Sequence, residues 1–191
     1  MTLDRRDVVT TVLADRVEAL VVSGLGSPTW DVAAAGDDDR NFYLWGAMGS
    51  AVMVGLGLAL AQPLRPVLVI TGDGEALMGL GGLATAGAKR PNNLSVVVLD
   101  NERYGETGMQ PSHTAYGADL PAIAAAAGFD WTVAVDDAAG LADLCPRLFA
   151  MAGCGLAAVK ITAEDLPRVL PSHDGVYLQH RFRRAVLGDA N

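Results

Sequence analysis

The sequence predicts an α/β protein, a three-layer α/β/α sandwich around a six-stranded parallel sheet. Three observations carry that prediction. Short apolar, β-branched runs recur and end in polar or glycine turns, most clearly at residues 67–71 and 94–99. Helical stretches separate these runs, and strand–helix–strand alternation calls for parallel pairing with right-handed crossovers. A chain of 191 residues, 51% of them hydrophobic and 19% charged, has core enough for one domain and not comfortably two. Residues 1–191 are therefore read as a single domain, with 165–191 a C-terminal tail.

The elements follow in order. Residues 4–15 have helical spacing, with Val8, Val9, Val12 and Leu13 on one side. Residues 19–23 read as a short buried strand. Gly24-Leu25-Gly26-Ser27-Pro28-Thr29 comes next, and a helix begins near Thr29. This is an incomplete dinucleotide pattern, because Thr29 stands where a third glycine belongs. It does lie at the carboxyl end of a strand, where open α/β sheets bind ligands. Ser27 and Thr29 are thus candidate phosphate contacts, a capped helix start being the alternative. Residues 37–40 form a solvated charged loop, and 42–45 a strand. Gly46-Ala47-Met48-Gly49 then opens an apolar helix to residue 61, too short and glycine-rich to span a membrane. Its glycines at 49, 55 and 57 suggest close packing against another surface, such as a partner chain.

The chain is organised around VLVITGDGEALMGLGGLATAGAKRPNNLSVVVLDNERYGETGMQ, residues 67–110. A strand ends in Gly72-Asp73-Gly74; a small-residue helix and a Pro-Asn-Asn break follow; a second strand ends in Asp100-Asn101. Parallel strands put both carboxyl ends on one edge of the sheet. Asp73 and Asn101, 28 positions apart, are therefore expected to meet. One carboxylate, one amide oxygen and a backbone carbonyl just beyond suit a hard cation, magnesium or calcium. Three protein oxygens leave about half of an octahedral magnesium shell for phosphate oxygens. The helix after Gly74 turns free N–H groups to the same place, which favours an anion. The residues alone thus point to a metal-bridged diphosphate.

Residues 102–117 form a long polar loop of the kind that carries function. Gln110, Ser112, His113 and Thr114 are donors expected to face a bound anion, His113 reading equally well as a solvent-exposed histidine. An alanine-rich helix at 120–127 stops at Gly128; a strand at 129–135, a helix at 138–151 and a strand at 156–161 follow. The two cysteines, Cys145 and Cys154, fall in this packing region without a CxxC pair, so zinc and iron–sulfur sites are not supported. Free thiols fit a reducing cytoplasm, and the amino terminus, MTLDRRDVVTTVLADR, lacks the apolar core of a signal peptide. A net charge of −8 argues against a nucleic-acid partner. Pro167 and Pro171 break the tail, which ends in a helix at 176–187 carrying Arg181, Arg183 and Arg184.

The organising stretch resembles the fingerprint of the thiamine diphosphate-dependent enzymes, Gly-Asp-Gly, a spacer and Asn-Asn. The resemblance implies the diphosphate-binding fold of that family, with strand order 2-1-3-4-6-5. It implies that Asp73, the Asn101 side chain and the Arg103 backbone oxygen hold Mg2+. Gly26, Ser27, Gly72, Gly74, Glu75 and Ala76 would frame the diphosphate. The Gly46 backbone oxygen would accept from the 4′-amino group, and Met48 would wedge between the two rings of a bent cofactor. Asp100 in place of the first Asn is a departure. Glu75 is another, since a negative side chain near a diphosphate must point away.

ERYGETGMQPSHT resembles the decarboxylases for sulfopyruvate and phosphonopyruvate, above all the small β subunits of split enzymes, and YLQHRFRRAV echoes the end of those subunits. The function implied is that of the β subunit of a heteromeric, thiamine diphosphate- and Mg2+-dependent decarboxylase of a small anionic 2-oxo acid. An acetolactate synthase-like carboligase subunit and a non-catalytic nucleotide-binding module are the alternatives. In that family a glutamate on the pyrimidine-binding domain activates the cofactor at N1′. None of the five glutamates here, Glu18, Glu75, Glu102, Glu106 and Glu164, is placed for that role in its own chain. The catalytic glutamate is expected from an α subunit, in an α2β2 or larger assembly.

Overall fold

A computed structural model describes residues 3–188. In chain order its first elements are α1 (Arg5–Ala14), β1 (Leu20–Ser23), α2 (Ser27–Ala34), β2 (Asn41–Tyr43), α3 (Ala51–Ala61) and β3 (Val67–Gly72). Then come α4 (Asp73–Met78), α5 (Leu80–Lys89), β4 (Leu94–Asp100), β5 (Arg103–Tyr104) and β6 (Gln110–Pro111). The last are α6 (Leu120–Ala127), β7 (Trp131–Val135), α7 (Ala138–Leu148), β8 (Gly155–Lys160) and α8 (Gly175–Leu187). Six strands make one sheet in the order β2-β1-β3-β4-β8-β7, every pairing parallel. Counting only those six along the chain, this is 2-1-3-4-6-5, the order the resemblance implies.

Strand periodicity builds the layers. Leu68 and Ile70 of β3 face one side, with Val97 and Val159, against Val8 and Val12 of α1 and Leu141 and Leu144 of α7. Val67 and Val69 face the other, with Val96 and Val98, against Val52 and Leu56 of α3, Leu83 of α5 and Leu120 of α6. Each such side chain, fully buried, contributes about 1.5–3 kcal/mol. Both faces of β4 are covered, which is why it reads as an uninterrupted apolar run.

Beyond shifts of one or two residues, four features differ from the sequence reading. The helix expected from residue 46 starts at Ala51, because Ala47 and Gly49 take left-handed φ angles of +57° and +93° and hold residues 46–50 in a turn. The helix expected after Gly74 already starts at Asp73 and breaks at Gly79, where a Cβ would overlap the Gly49 carbonyl. The long loop contains a short antiparallel hairpin, β5 with β6. The helix expected over 138–151 stops at Leu148, past the internal Pro146.

The tail is bound to the domain. Arg168 stacks over the Trp30 ring at 4.5 Å, and His173 stacks on Trp45 with ring centroids 3.7 Å apart. Arg181 of α8, buried, bonds Asp37 Oδ2 at 2.7 Å and the Asn41 carbonyl at 3.3 Å beside the edge strand β2. At least this member of the basic cluster therefore closes the fold from within.

Candidate active site

The carboxyl ends of β1, β3 and β4 lie together, with Ser23 opposite Ile70 and Gly72 opposite Leu99 in the parallel register. Above them opens a cavity of about 380 Å³. Asp73, Asn101 and Arg103 all line it, so the three residues expected at the metal share one rim. Ser27, Met48, Gly72, Gly74 and Glu75 line it as well, whereas Gly26, Gly46 and Ala76 do not. None of Gln110, Ser112, His113 and Thr114 lines it either.

Ser112 and Thr114 have a different place. Both are buried, and the Ser112 hydroxyl donates to Asp73 Oδ2. Thr114 Oγ1 lies 3.1 Å from the same oxygen, 2.7 Å from Asp100 Oδ1 and 2.8 Å from Ser112 Oγ. The loop thus holds the back of Asp73 instead of facing an open anion site. The Gln110 side chain turns back on its own loop, its amide donating to the Thr107 carbonyl at 2.8 Å.

Asp73 is 2% exposed, and burial pushes its pKa up, helped by the nearby Asp100 and opposed by the Ser112 and Thr114 hydroxyls. Asp100, in the position the fingerprint gives to Asn, pairs with Lys160 Nζ at 3.1 Å across the β4–β8 register. Lys160 also pairs with Glu102. The extra negative charge is therefore balanced on the side away from the cavity, whose lining includes neither Asp100 nor Lys160. The Asn101 side-chain oxygen accepts from the Arg103 amide at 2.9 Å, folding residues 101–103 into a tight turn. Glu102 within it has φ +60°, a left-handed conformation of the kind that gathers at functional sites.

Among the described residues no group of three or more His, Cys, Asp or Glu side chains could hold a metal ion. A cation on this rim would rest on one carboxylate with amide and backbone oxygens. That hard, under-filled donor set fits magnesium carrying a phosphate ligand. The Tyr104 ring lies so close to Gly74 that a Cβ there would overlap it, which explains the second glycine of Gly-Asp-Gly.

Met48 also lines the cavity, 36% exposed, just after Ala47 at φ +57°. It has the reach of a wedge and little of the burial of a core methionine. Sequence reasoning missed Arg5, Tyr104 and Glu106 in the lining. Arg5 is carried there because Leu3 bridges Ile161 beyond the end of β8. Glu106 lies over the start of α2, with Ser27 Oγ 3.4 Å from its Oε1 and Arg168 3.9 Å from its Oε2. Among the described residues, no helix is long and apolar enough to cross a membrane.

Residues 32–161 match the family described as thiamine pyrophosphate enzyme, C-terminal TPP binding domain. The chain is 41% identical over 174 residues to a phosphonopyruvate decarboxylase of Streptomyces viridochromogenes, covering 88% of this chain and 42% of that protein. It is 42% identical over 137 residues to the sulfopyruvate decarboxylase subunit beta of Methanothermobacter thermautotrophicus, covering 72% of this chain and 73% of that subunit. Against the same subunit of Methanococcus maripaludis, identity is 30% over 190 residues, covering 97% and 99% of the two chains. In fold it is similar to benzoylformate decarboxylase from Polynucleobacter necessarius, with a TM-score of 0.73 at 23% identity over 87% of this chain and 34% of that one. With a family match that runs from α2 to the end of β8 and a cavity rimmed by Asp73 and Asn101, the chain belongs to the thiamine pyrophosphate enzymes, as their C-terminal cofactor-binding domain.

Proposed function

We propose that this chain is the β subunit of a thiamine diphosphate- and Mg2+-dependent decarboxylase acting on a small anionic 2-oxo acid of the sulfopyruvate or phosphonopyruvate type. The observation that carries the reading is the convergence of Asp73, Asn101, Arg103 and Met48 on one cavity at the carboxyl ends of β1, β3 and β4. The near-complete overlap with a sulfopyruvate decarboxylase β subunit supports it.

Thiamine diphosphate, when bound, supplies the electron sink that lets a 2-oxo acid lose carbon dioxide. This chain's residues would do the holding. Asp73, the Asn101 side chain and the Arg103 backbone oxygen would carry the magnesium, and Ser27 with the turns at Gly72 and Gly74 would frame the diphosphate. Met48 would keep the aminopyrimidine side bent toward the thiazolium side. Ser112 and Thr114 fix the orientation of the Asp73 carboxylate.

Glu75 and Glu106 line the cavity. Glu75 is engaged by the Thr71 hydroxyl at the end of β3, and Glu106 sits by Ser27 at the start of α2, so we assign the activating glutamate to an α subunit and expect an α2β2 or larger cytoplasmic assembly. The test is carbon dioxide release from sulfopyruvate and from phosphonopyruvate, with Mg2+ and thiamine diphosphate, by this chain alone and mixed with the α subunit. Turnover only in the mixture is expected; robust turnover by the chain alone overturns the split site.

A further inference from the structure

Glu75 lines the cavity and is not among the residues proposed to hold the metal or the diphosphate. It is 5% exposed. Its Oε2 accepts from Thr71 Oγ1 at 2.9 Å, so it turns down between the ends of β1 and β3. Gly24, the first residue beyond β1, leaves room for it: a Cβ at that position would overlap Oε2 and crowd Thr71 Oγ1. The backbone amides of Leu25, Gly49 and Ala51 face the same carboxylate, yet Oε1 closes no aligned hydrogen bond with any partner. One side chain thus stands among three separate pieces of the site. These are the β1–α2 turn that leads to Ser27, the Gly-Asp-Gly turn that bears Asp73, and the 46–50 turn that bears Met48.

The 46–50 turn also packs on Met78 and Gly79, at the end of the helix that begins at Asp73. Gly49 lies against Gly79 N, a Cβ there falling 3.0 Å from it, and a Cβ on Gly79 would overlap the Gly49 carbonyl. That contact is steric and carries no charge. Glu75 adds the directional part, a carboxylate with the backbone amides of Leu25, Gly49 and Ala51 about it. A buried carboxylate ringed by amides draws them toward itself, because leaving it unpaired is costly.

We propose that Glu75 is a positioning residue that sets the Met48 turn at its distance from the diphosphate-binding turns and so matches the cavity to the full length of a bent thiamine diphosphate. The inference rests on the reading of the cavity given above. It separates two ligands that share one anchor. Inorganic pyrophosphate needs only the metal rim; thiamine diphosphate needs the rim and the Met48 turn in register.

The experiment is calorimetric titration of the assembled enzyme with thiamine diphosphate and, separately, with pyrophosphate, both with Mg2+. In Glu75→Ala the affinity for thiamine diphosphate is expected to fall about tenfold or more. Pyrophosphate affinity is expected to stay within about threefold of the parent, well inside the same conversion. Glu75→Gln, which keeps an oxygen acceptor in the same place, is expected to restore most of the loss. Gly24→Ala displaces the carboxylate without removing it. It is expected to reproduce the selective loss and serves as the reading if Glu75→Ala does not fold. Equal loss of both ligands, or loss of neither, overturns the proposal. If the parent assembly binds pyrophosphate but not thiamine diphosphate, the functional reading fails instead.

Discussion

The Ser112→Ala substitution tests how the loop holds the metal-side carboxylate. Asp73 is buried and its Oδ2 faces two hydroxyls, Ser112 and Thr114. Thr114 has one proton and three acceptors in reach: Asp73 Oδ2 at 3.1 Å, Asp100 Oδ1 at 2.7 Å and Ser112 Oγ at 2.8 Å. It can satisfy one. Asp100 has other donors, the Glu102 amide at 3.1 Å and Lys160 Nζ at 3.1 Å. With Ser112 gone, Thr114 can turn its proton to Asp73 at a small loss to Asp100, and the two carboxylates share one hydroxyl proton where they had two. The loss is one hydrogen bond to a buried charge, about 1.5–3 kcal/mol. Expressed in binding, that is roughly ten- to 150-fold in Mg2+-dependent cofactor affinity, if the whole loss falls on the orientation of the carboxylate. Urea unfolding of the free chain measures the stability share, and calorimetry on the assembled enzyme measures the binding share. Unchanged values in both would refute the role given to Ser112.

Three further outcomes are expected. Met48→Ala should lower thiamine diphosphate affinity and turnover while shifting the unfolding midpoint little. At 36% exposure Met48 has little of the burial that makes a core truncation cost about 2–5 kcal/mol; a stability loss of that size with normal turnover would make Met48 a core residue only. Asp100→Asn, which restores the fingerprint pair, should leave cofactor affinity unchanged and cost at most about 1 kcal/mol of stability, because Lys160 is partly exposed and keeps Glu102; the check is the same pair of measurements. Acid should loosen the β2 edge. Asp38 is held well below the ordinary carboxylate range by its hydrogen bonds from Arg40; Asp37 is held below it too, where hydrogen bonds from Arg181 and Tyr43 outweigh a burial that raises it. Carboxylates with depressed pKa values stabilise the fold above their unfolded value near pH 4 and lose that contribution as pH falls through the folded one. The pH dependence of urea unfolding between about pH 5 and pH 3 should therefore be shallower in Arg181→Met, and an unaltered slope would remove Arg181 from the account.

Much of this was legible in the chain. Periodicity located all six strands of the sheet to within about two residues. The pairing of Asp73 with Asn101 followed from parallel topology alone, since only the carboxyl ends of β3 and β4 were needed. Less legible were features set by tertiary contact. The Met48 turn read as helix because its residues are small and apolar, yet the φ angles of Ala47 and Gly49 answer to neighbouring turns. Ser112 and Thr114 read as ligand donors because hydroxyls in a polar loop carry no mark of which carboxylate they will meet. Arg5 reaches the cavity through the bridge between Leu3 and Ile161, a contact with no local signature. Nothing in the sequence sets Arg181 apart from Arg183 and Arg184, and only the fold puts Asp37 within its reach.

The central claim is that Asp73 and Asn101 hold the metal through which this chain grips thiamine diphosphate. The direct measurement is thiamine diphosphate affinity of the assembled enzyme with Mg2+, with a chelator, and in Asp73→Ala and Asn101→Ala. Binding that requires Mg2+ and is lost in each variant, with circular dichroism showing both still folded, is the expected result. Affinity unchanged by the chelator or by either substitution would contradict the account.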